Sequence, residues 1–329
     1  MARMRILTTN EQEAFDKPPL FDHRDRKRFF DLPKGLLDVA NTLRTPGGKI
    51  GFLLMCGYFK ATKRFFQSHD FHERDVEAVA RVLVLQGSEF SVDAYAKQTR
   101  ARHQQAILDF YGFTVFDDKA KNMLAIEIDT MARVHLKPKL IFERCVDFLT
   151  QRRVQTPQSG ALLKMIRIGL HDRKTELVAL MDSQLSDNAR GLLDDLFTTP
   201  DNKNLYRLTL LKKLSQSTKP TKIKEAVTDF EVLSDLHGQL SSVLSRLDLG
   251  TAGIRYFAGS VIRSKTAQML RRDENDRYIH AAAFVAHQFY RSQDNMIDLW
   301  LSVMASFKSA AAREYQETLA QERKDHSDR

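Results

Sequence analysis

At 329 residues, with 43% hydrophobic and 28% charged side chains, the chain is long enough for two or three domains and too apolar to be disordered throughout. Its formal net charge of +9 is uneven: residues 1–115 carry 18 Lys+Arg against 14 Asp+Glu, residues 116–225 carry 20 against 14, and residues 226–329 carry 13 against 14, so a polyanion would engage the first two thirds. The start, MARMRILTTNEQEAF, has no signal-peptide apolar run and no window holds the ~18 consecutive apolar residues of a membrane span, which argues against export or membrane insertion and for a soluble, cytoplasmic protein.

Helical patterns run almost end to end, with no long alternating stretch and no Asn-Gly hairpin, so the expected fold is all-α: successive helix-turn-helix-like bundles followed by a long-helix region. Thr8 to Glu11 has capping-box spacing, and Asp22 precedes a short charged helix, DHRDRKRFF. Pro46-Gly47-Gly48 is expected to break the chain before a core helix from Ile50 to about Phe59. That helix ends at Lys60, Lys63 and Arg64, which serve either as phosphate clamps or as snorkelling surface cations. His69 and His72, with Asp70, Glu73 and Asp75 nearby, have the residue types of a metal site. Acids at a helix start also complement its dipole, and no metal or cofactor is expected. Val76, Val79, Ala80, Leu83 and Val84 form an apolar stripe that Gly87-Ser88 ends; Ser91 offers an N-cap before Asp93, Ala94 and Tyr95. Ile107, Leu108 and Phe110 are the stripe of a helix starting near Thr99 and stopped by Gly112. Between those points stand Lys97, Gln98, Thr99, Arg100, Arg102, His103, Gln104 and Gln105, side-chain types that reach phosphates and base edges or simply form a solvated face.

Further helices are expected from about Asp117 to Val134, and from Lys137-Pro138 through Ile141, Phe142, Cys145, Phe148 and Leu149, with proline in the first turn. A basic loop, Gln151-Arg152-Arg153-Val154-Gln155-Thr156-Pro157, leads to Ala161, Leu162, Met165, Ile166, Ile168 and Leu170, a second helix-turn-helix-like unit. Lys164, Arg167, His171, Arg173 and Lys174 occupy its expected polar face, either on DNA or in solvent. Asp201–Asn204 and Gln216–Thr221 suit linkers bracketing a helix at about Leu205 to Leu214. Beyond them Phe230, Leu233, Leu236, Leu240, Val243, Leu244 and Leu247 form a stripe closed by Gly250. A long helix from about Asp276 to Ala320 carries Phe284, His287, Phe289, Met296, Leu299, Trp300, Val303 and Phe307, as core or as a self-association face. The two cysteines, Cys56 and Cys145, sit in apolar helical stretches and suit buried thiols. The domains expected are a DNA-binding helical domain over 1–115, a second over 116–200, a helical linker or interaction domain over 201–320, and a polar tail over 321–329, QERKDHSDR.

Tyr95, Lys97, Thr99, Arg100, His103 and Ile107, ending in Tyr111-Gly112-Phe113, resemble the YxxRxxTRxxHxxxIxxxxGF signature of the large replicative transposases of Tn-three-type bacterial transposons. Leu7-Thr8 with Glu11 to Phe15, Arg28-Phe29-Phe30 with Leu32-Pro33, Gly51-Phe52 with Cys56, Tyr58 and Arg64-Phe65, and Arg152-Arg153-Val154 with Pro157 resemble further blocks of that family; the likeness fades after about residue 200. The resemblance implies binding of double-stranded DNA at transposon terminal inverted repeats. On it, Arg100, Arg102, His103 and Gln104 read or anchor a groove, Lys97, Gln98 and Thr99 stand at the helix entry beside Tyr95, and Lys60, Lys63 and Arg64 flank on phosphates. The family's magnesium-binding RNase H-like core has no counterpart in these residues, so no catalysis by this polypeptide is expected. No P-loop, GxGxxG or GxSxG motif is present either. The alternatives are a helical relic that self-associates or contacts full-length transposase, and a repressor that competes for the transposon ends.

Overall fold

A computed structural model describes residues 5–134, 137–200 and 204–327. Fifteen α-helices form among them, and the only β pairing there is an isolated bridge between Thr114 and Val154, so the fold is all-α. No described helix is long and apolar enough to cross a membrane. The chain folds as two compact units that divide after Arg173, with Arg133 counted in the second. The division lies inside a continuous helix, α9 (Ser159–Gln184), and not at the expected residue 200; Gly169 and Asp172 stand beside it without interrupting the helix.

The first core of unit 1 surrounds α4 (Pro46–Thr62). Thr45 accepts a bond from the Gly48 amide at 3.1 Å and Pro46 takes the first helical position. Pro46-Gly47-Gly48 is therefore the opening turn of α4 and not a break before it, because a proline there lacks only an N–H that would be unpaired anyway. Every residue from Ile50 to Phe59 is buried, as in a helix at the centre of a bundle. Around it pack α2 (His23–Phe30), α3 (Lys34–Thr42), α5 (Glu73–Val82) and α6 (Lys97–Tyr111). Close approach needs two glycines. A Cβ on Gly57 would stand 2.2 Å from the Phe30 ring, and one on Gly51 would stand 2.7 Å from the Tyr95 ring. The carboxylate of Asp75, at the start of α5, is fully buried; it accepts from the Tyr58 hydroxyl at 2.7 Å and from Arg26 Nε at 2.6 Å. That accounts for its burial, and among the described residues no group of three or more His, Cys, Asp and Glu is placed to hold a metal. Cys56 and Cys145 are free, buried thiols; burial pushes Cys56 far up and Cys145 up to about 12.

The stretch after α5 departs from the expected helix-turn-helix. The stripe ends at Leu83, and Val84 lies outside it, 92% exposed at φ 57°. Residues 83–96 then form bends and a single 3-10 turn at Gly87–Glu89, with Ser91 Oγ accepting from the Ala94 amide at 3.4 Å. Gly87, Ser88, Ser91 and Asp93 favour turns over a helix, and α6 opens at Lys97 instead of Thr99.

The second core of unit 1 gathers α7 (Asp118–Arg133), α8 (Pro138–Gln151) and the first part of α9 with Ile6, Leu7 and Phe15, the last from α1 (Thr9–Asp16). The Thr8–Glu11 capping box caps α1, and the same pairing of Asp22 with Asp25 caps α2. Lys139 binds Glu11 at 2.6 Å, and this bond with those from Thr8 holds the Glu11 carboxyl at about 2. Asp16 accepts from the Ser159 amide at 2.7 Å and its hydroxyl at 2.6 Å, so a residue of the first helix caps the ninth. On α9, Leu163 is buried while Ala161 and Ile168 are exposed.

Unit 2 holds the rest of α9, α10 (Asp187–Asp195), α11 (Arg207–Leu211), α12 (Pro220–Leu247), α13 (Gly250–Arg263), α14 (Thr266–Leu270) and α15 (Glu274–Ser327). Leu233, Leu236, Leu240, Val243 and Leu247 of α12 share a core with Tyr278, Ile279 and the run Ala281–Val285 of α15. Of the first linker candidate, Asp201–Lys203 lie outside the described residues. The helix expected from Leu205 to Leu214 is only α11, and Pro220 of the second candidate is the first residue of α12. Asp248, at φ 45°, closes α12 instead of Gly250, which starts α13. The helix α15 runs through the expected polar tail to Ser327.

Candidate nucleic-acid interface

The helix that carries most of the proposed contacts, α6, is seated by its buried face. Tyr95 and His103 are 5% and 6% exposed, and the Tyr95 hydroxyl lies 2.6 Å from His103 Nδ1. Burial, then the Arg102 charge, pulls His103 down to about 4, and burial pushes the Tyr95 phenol far up, so at neutral pH a protonated phenol and an uncharged imidazole share this hydrogen bond. The two rings pack on Gly51 and Phe52 of α4. Neither faces outward, and both leave the set of candidate contacts. Ile107 and Leu108 complete the buried face, Phe110 is half out at 43% exposure, and Gly112 at φ 64° ends the helix as expected.

The remaining polar residues of α6 divide between two faces. Gln98, Arg102 and Gln105 are exposed, Gln105 bonding Asp109 at 2.7 Å. Lys97, Arg100, Ala101 and Gln104 line a cleft of 310 Å³, where Arg100 donates to Gln67 at 3.2 Å and to Ser68 at 3.1 Å. Thr99 is half-buried beside them.

The opposite wall is the basic loop after α8. Thr114, just past α6, donates to the Arg153 carbonyl at 2.9 Å and accepts from the Gln155 amide at 2.8 Å; the Thr156 amide donates to the Lys63 carbonyl at 3.2 Å. These bonds tie the loop to the ends of α6 and α4 and bury Val154, leaving Arg152 and Arg153 exposed. Arg152 lies 5.4 Å from the Phe148 ring centre, and Arg153 takes a left-handed backbone at φ 54°. Gln155, Thr156, Pro157 and Gln158 face the cleft.

The three cations expected to clamp phosphate at the end of α4 are engaged internally. Lys60 donates to the carbonyls of Arg28 and Asp31, at 2.8 and 2.7 Å, closing the end of α2. Lys63 donates to the Lys60 carbonyl at 2.8 Å, and burial, then the Lys60 charge, lowers its pKa. Arg64 stacks over the Phe15 ring at 3.9 Å and donates to the Phe15 carbonyl. Their charges are engaged with helix-end carbonyls and an aromatic ring. On α9, Lys164 is exposed and Arg167 half-buried, but Arg173 is 5% exposed and Lys174 pairs with Asp276 at 3.1 Å within unit 2. Arg173 therefore leaves the expected polar face, whereas Lys174 stays exposed with its charge paired to Asp276.

Residues 6–168 match the family model of a domain of unknown function, DUF4158. The match opens at Ile6, the first residue of the second core, and closes just short of the unit boundary at Arg173, so it covers both cores of unit 1. No curated protein matches the chain. Sequence reasoning missed Phe65, Phe66, Gln67, Gln155, Thr156 and Gln158 as cleft residues. The one available signal was the density of glutamine in QRRVQTPQ, matching the amides of α6.

Proposed function

We propose that the DUF4158 unit binds double-stranded DNA, and that the target is the terminal inverted repeat of a transposon. On this proposal the chain is the DNA-recognition part of a Tn-three-type transposase, and strand chemistry belongs to a catalytic core of the kind that family carries. The observation that supports it most is the pairing of two exposed surfaces of one unit. Gln98 and Arg102 stand on the outer face of α6, and the segment just past that helix is bonded through Thr114 to the loop that presents Arg152 and Arg153. Amide and guanidinium groups on a helix suit base edges, and the two loop arginines suit phosphates. The resemblance of the α6 sequence to the transposase signature supplies the target class.

Fluorescence anisotropy of the chain against a terminal-repeat duplex and a scrambled one, at two salt concentrations, tests this. The repeat is expected to keep its preference as salt rises. Arg102→Ala reduces that preference by about 1–3 kcal/mol, and Arg152→Ala with Arg153→Ala lowers the salt slope by about 2 while leaving the preference intact. Equal binding of both duplexes removes sequence recognition; unchanged salt slope in the double variant removes the loop contact.

A second reading rests on α15, which beyond Leu299 is exposed at nearly all its described side chains and carries Trp300, Leu301, Met304 and Phe307 at 50–66% exposure. An apolar helix face of that kind suits self-association or contact with full-length transposase. A concentration-dependent dimer that ignores DNA favours this reading over the first.

A further inference from the structure

The cleft beside α6 differs in shape from the outer face of the same helix. A volume of 310 Å³ is at the small end of ligand sites and is far too small to admit a duplex. It matches a single nucleotide. Lys97 and Arg100 bring positive charge to the opening turn of α6. There the N-cap residue, Ala96, supplies no side-chain acceptor and no acidic residue follows, so the first amides are open to an anion. Gln104, Gln155 and Gln158 offer carboxamides that both donate and accept, as a base edge requires. A second, independent pointer is Thr156. It lines the same cleft, is 2% exposed, and its hydroxyl has no hydrogen-bond partner, an unfavourable state for a buried group.

We propose that this cleft receives one unstacked nucleotide of the bound DNA, its phosphate at the start of α6 beside Lys97 and its base among the glutamine carboxamides, with the Thr156 hydroxyl bonded to it. The proposal rests on the DNA-binding reading above and adds to it a site for an extruded or unpaired nucleotide. Unstacking is least unfavourable where a base is already unpaired, so selectivity for such DNA follows.

The full chain is titrated with two labelled duplexes of one sequence, one fully paired and one carrying a single bulged 2-aminopurine, and with free deoxynucleoside monophosphates. The bulged duplex is expected to bind about 10-fold more tightly, with a change in 2-aminopurine emission. Thr156→Val, which removes only the unpartnered hydroxyl, is expected to abolish most of that gain, keep paired-duplex affinity within twofold and leave the melting temperature unchanged or higher. Gln155→Ala, whose backbone bonds remain, is expected to do the same. Equal affinity for the two duplexes overturns the cleft assignment while leaving duplex binding in place. Full retention of the gain in both variants places the nucleotide elsewhere and also overturns it. Tight binding of the free monophosphate with no gain from the bulge assigns the cleft to a free nucleotide instead, and no binding of either duplex overturns this proposal together with the DNA-binding one.

Discussion

His103 illustrates how a residue chosen for its chemistry can be used for its shape. Held near 4 by burial, it stays uncharged while an unfolded chain's histidine protonates near 6.5, so the folded state binds fewer protons between those values. Stability present above pH 6.5 is therefore lost as pH falls toward 4, by an amount on the order of 3 kcal/mol. Burial also lowers His237, His280 and His287, which steepen the same trend in unit 2. Thermal melts of the native chain and His103→Gln from pH 7 to pH 4 check the assignment: the variant is expected to lose less stability over that range, and parallel curves would clear His103. Val84 makes a simpler case. A β-branched residue at φ 57° is strained, and this one is exposed and packs in no stripe. Val84→Gly is expected to stabilise the chain by about 1 kcal/mol in denaturant melts. What was legible at this scale was local. The Thr8–Glu11 box and the Gly112 stop depend on bonds within a few residues, whereas the burial of Tyr95 and His103 depends on Gly51 and Phe52, far earlier in the chain, which no local pattern displays.

Among the elements, α4 and α6 show why helix existence was easier to read than helix use. The apolar run from Ile50 marks a core helix, but Pro-Gly-Gly has the composition of a break, and only the Thr45 cap makes it the opening turn of α4. Gly57, in the middle of α4, would be a helix weakness were it exposed; here it admits the Phe30 ring against the backbone. Gly57→Ala is expected to destabilise unit 1 by about 1–3 kcal/mol, despite the better helix propensity of alanine, because the ring is held on its other sides by Phe21 and Tyr58. A stabilised variant in urea melts would show that the bundle has slack there. The polar residues of α6 could be seen, but their division between an outer face and a cleft could not, since the second wall comes from a loop after two further helices.

Across the whole molecule, the expectation of an all-α chain holds. The unit boundary is the feature that sequence conceals, because α9 continues through it and linker composition appears only later. Trp300 is the single tryptophan of the chain and is 65% exposed, so its fluorescence reports one face of α15 alone. Emission is expected at the wavelength of a hydrated indole, with free access to iodide. If the chain self-associates through this face, raising its concentration shifts that emission to the blue in step with the mass seen by light scattering, and Phe307→Asp prevents both changes. Dimerisation without a shift would locate the contact elsewhere.

The same helix carries a gradient along its 54 residues. Between Tyr278 and Val285 its residues are enclosed in a core, and their amides should exchange with solvent only when unit 2 opens as a whole. Beyond Leu299 nearly all the described side chains are exposed, which leaves the backbone bonds little but intrinsic propensity to hold them, a marginal state for an isolated helix. Exchange there is expected to be faster by orders of magnitude, falling off residue by residue toward Ser327. A partner that seats itself on Trp300 and Phe307 would therefore freeze a fluctuating segment into order, and part of its binding free energy would be spent on that ordering. The visible sign of such a partner would be slowed exchange spreading outward from Leu299, in advance of any change in the protected core.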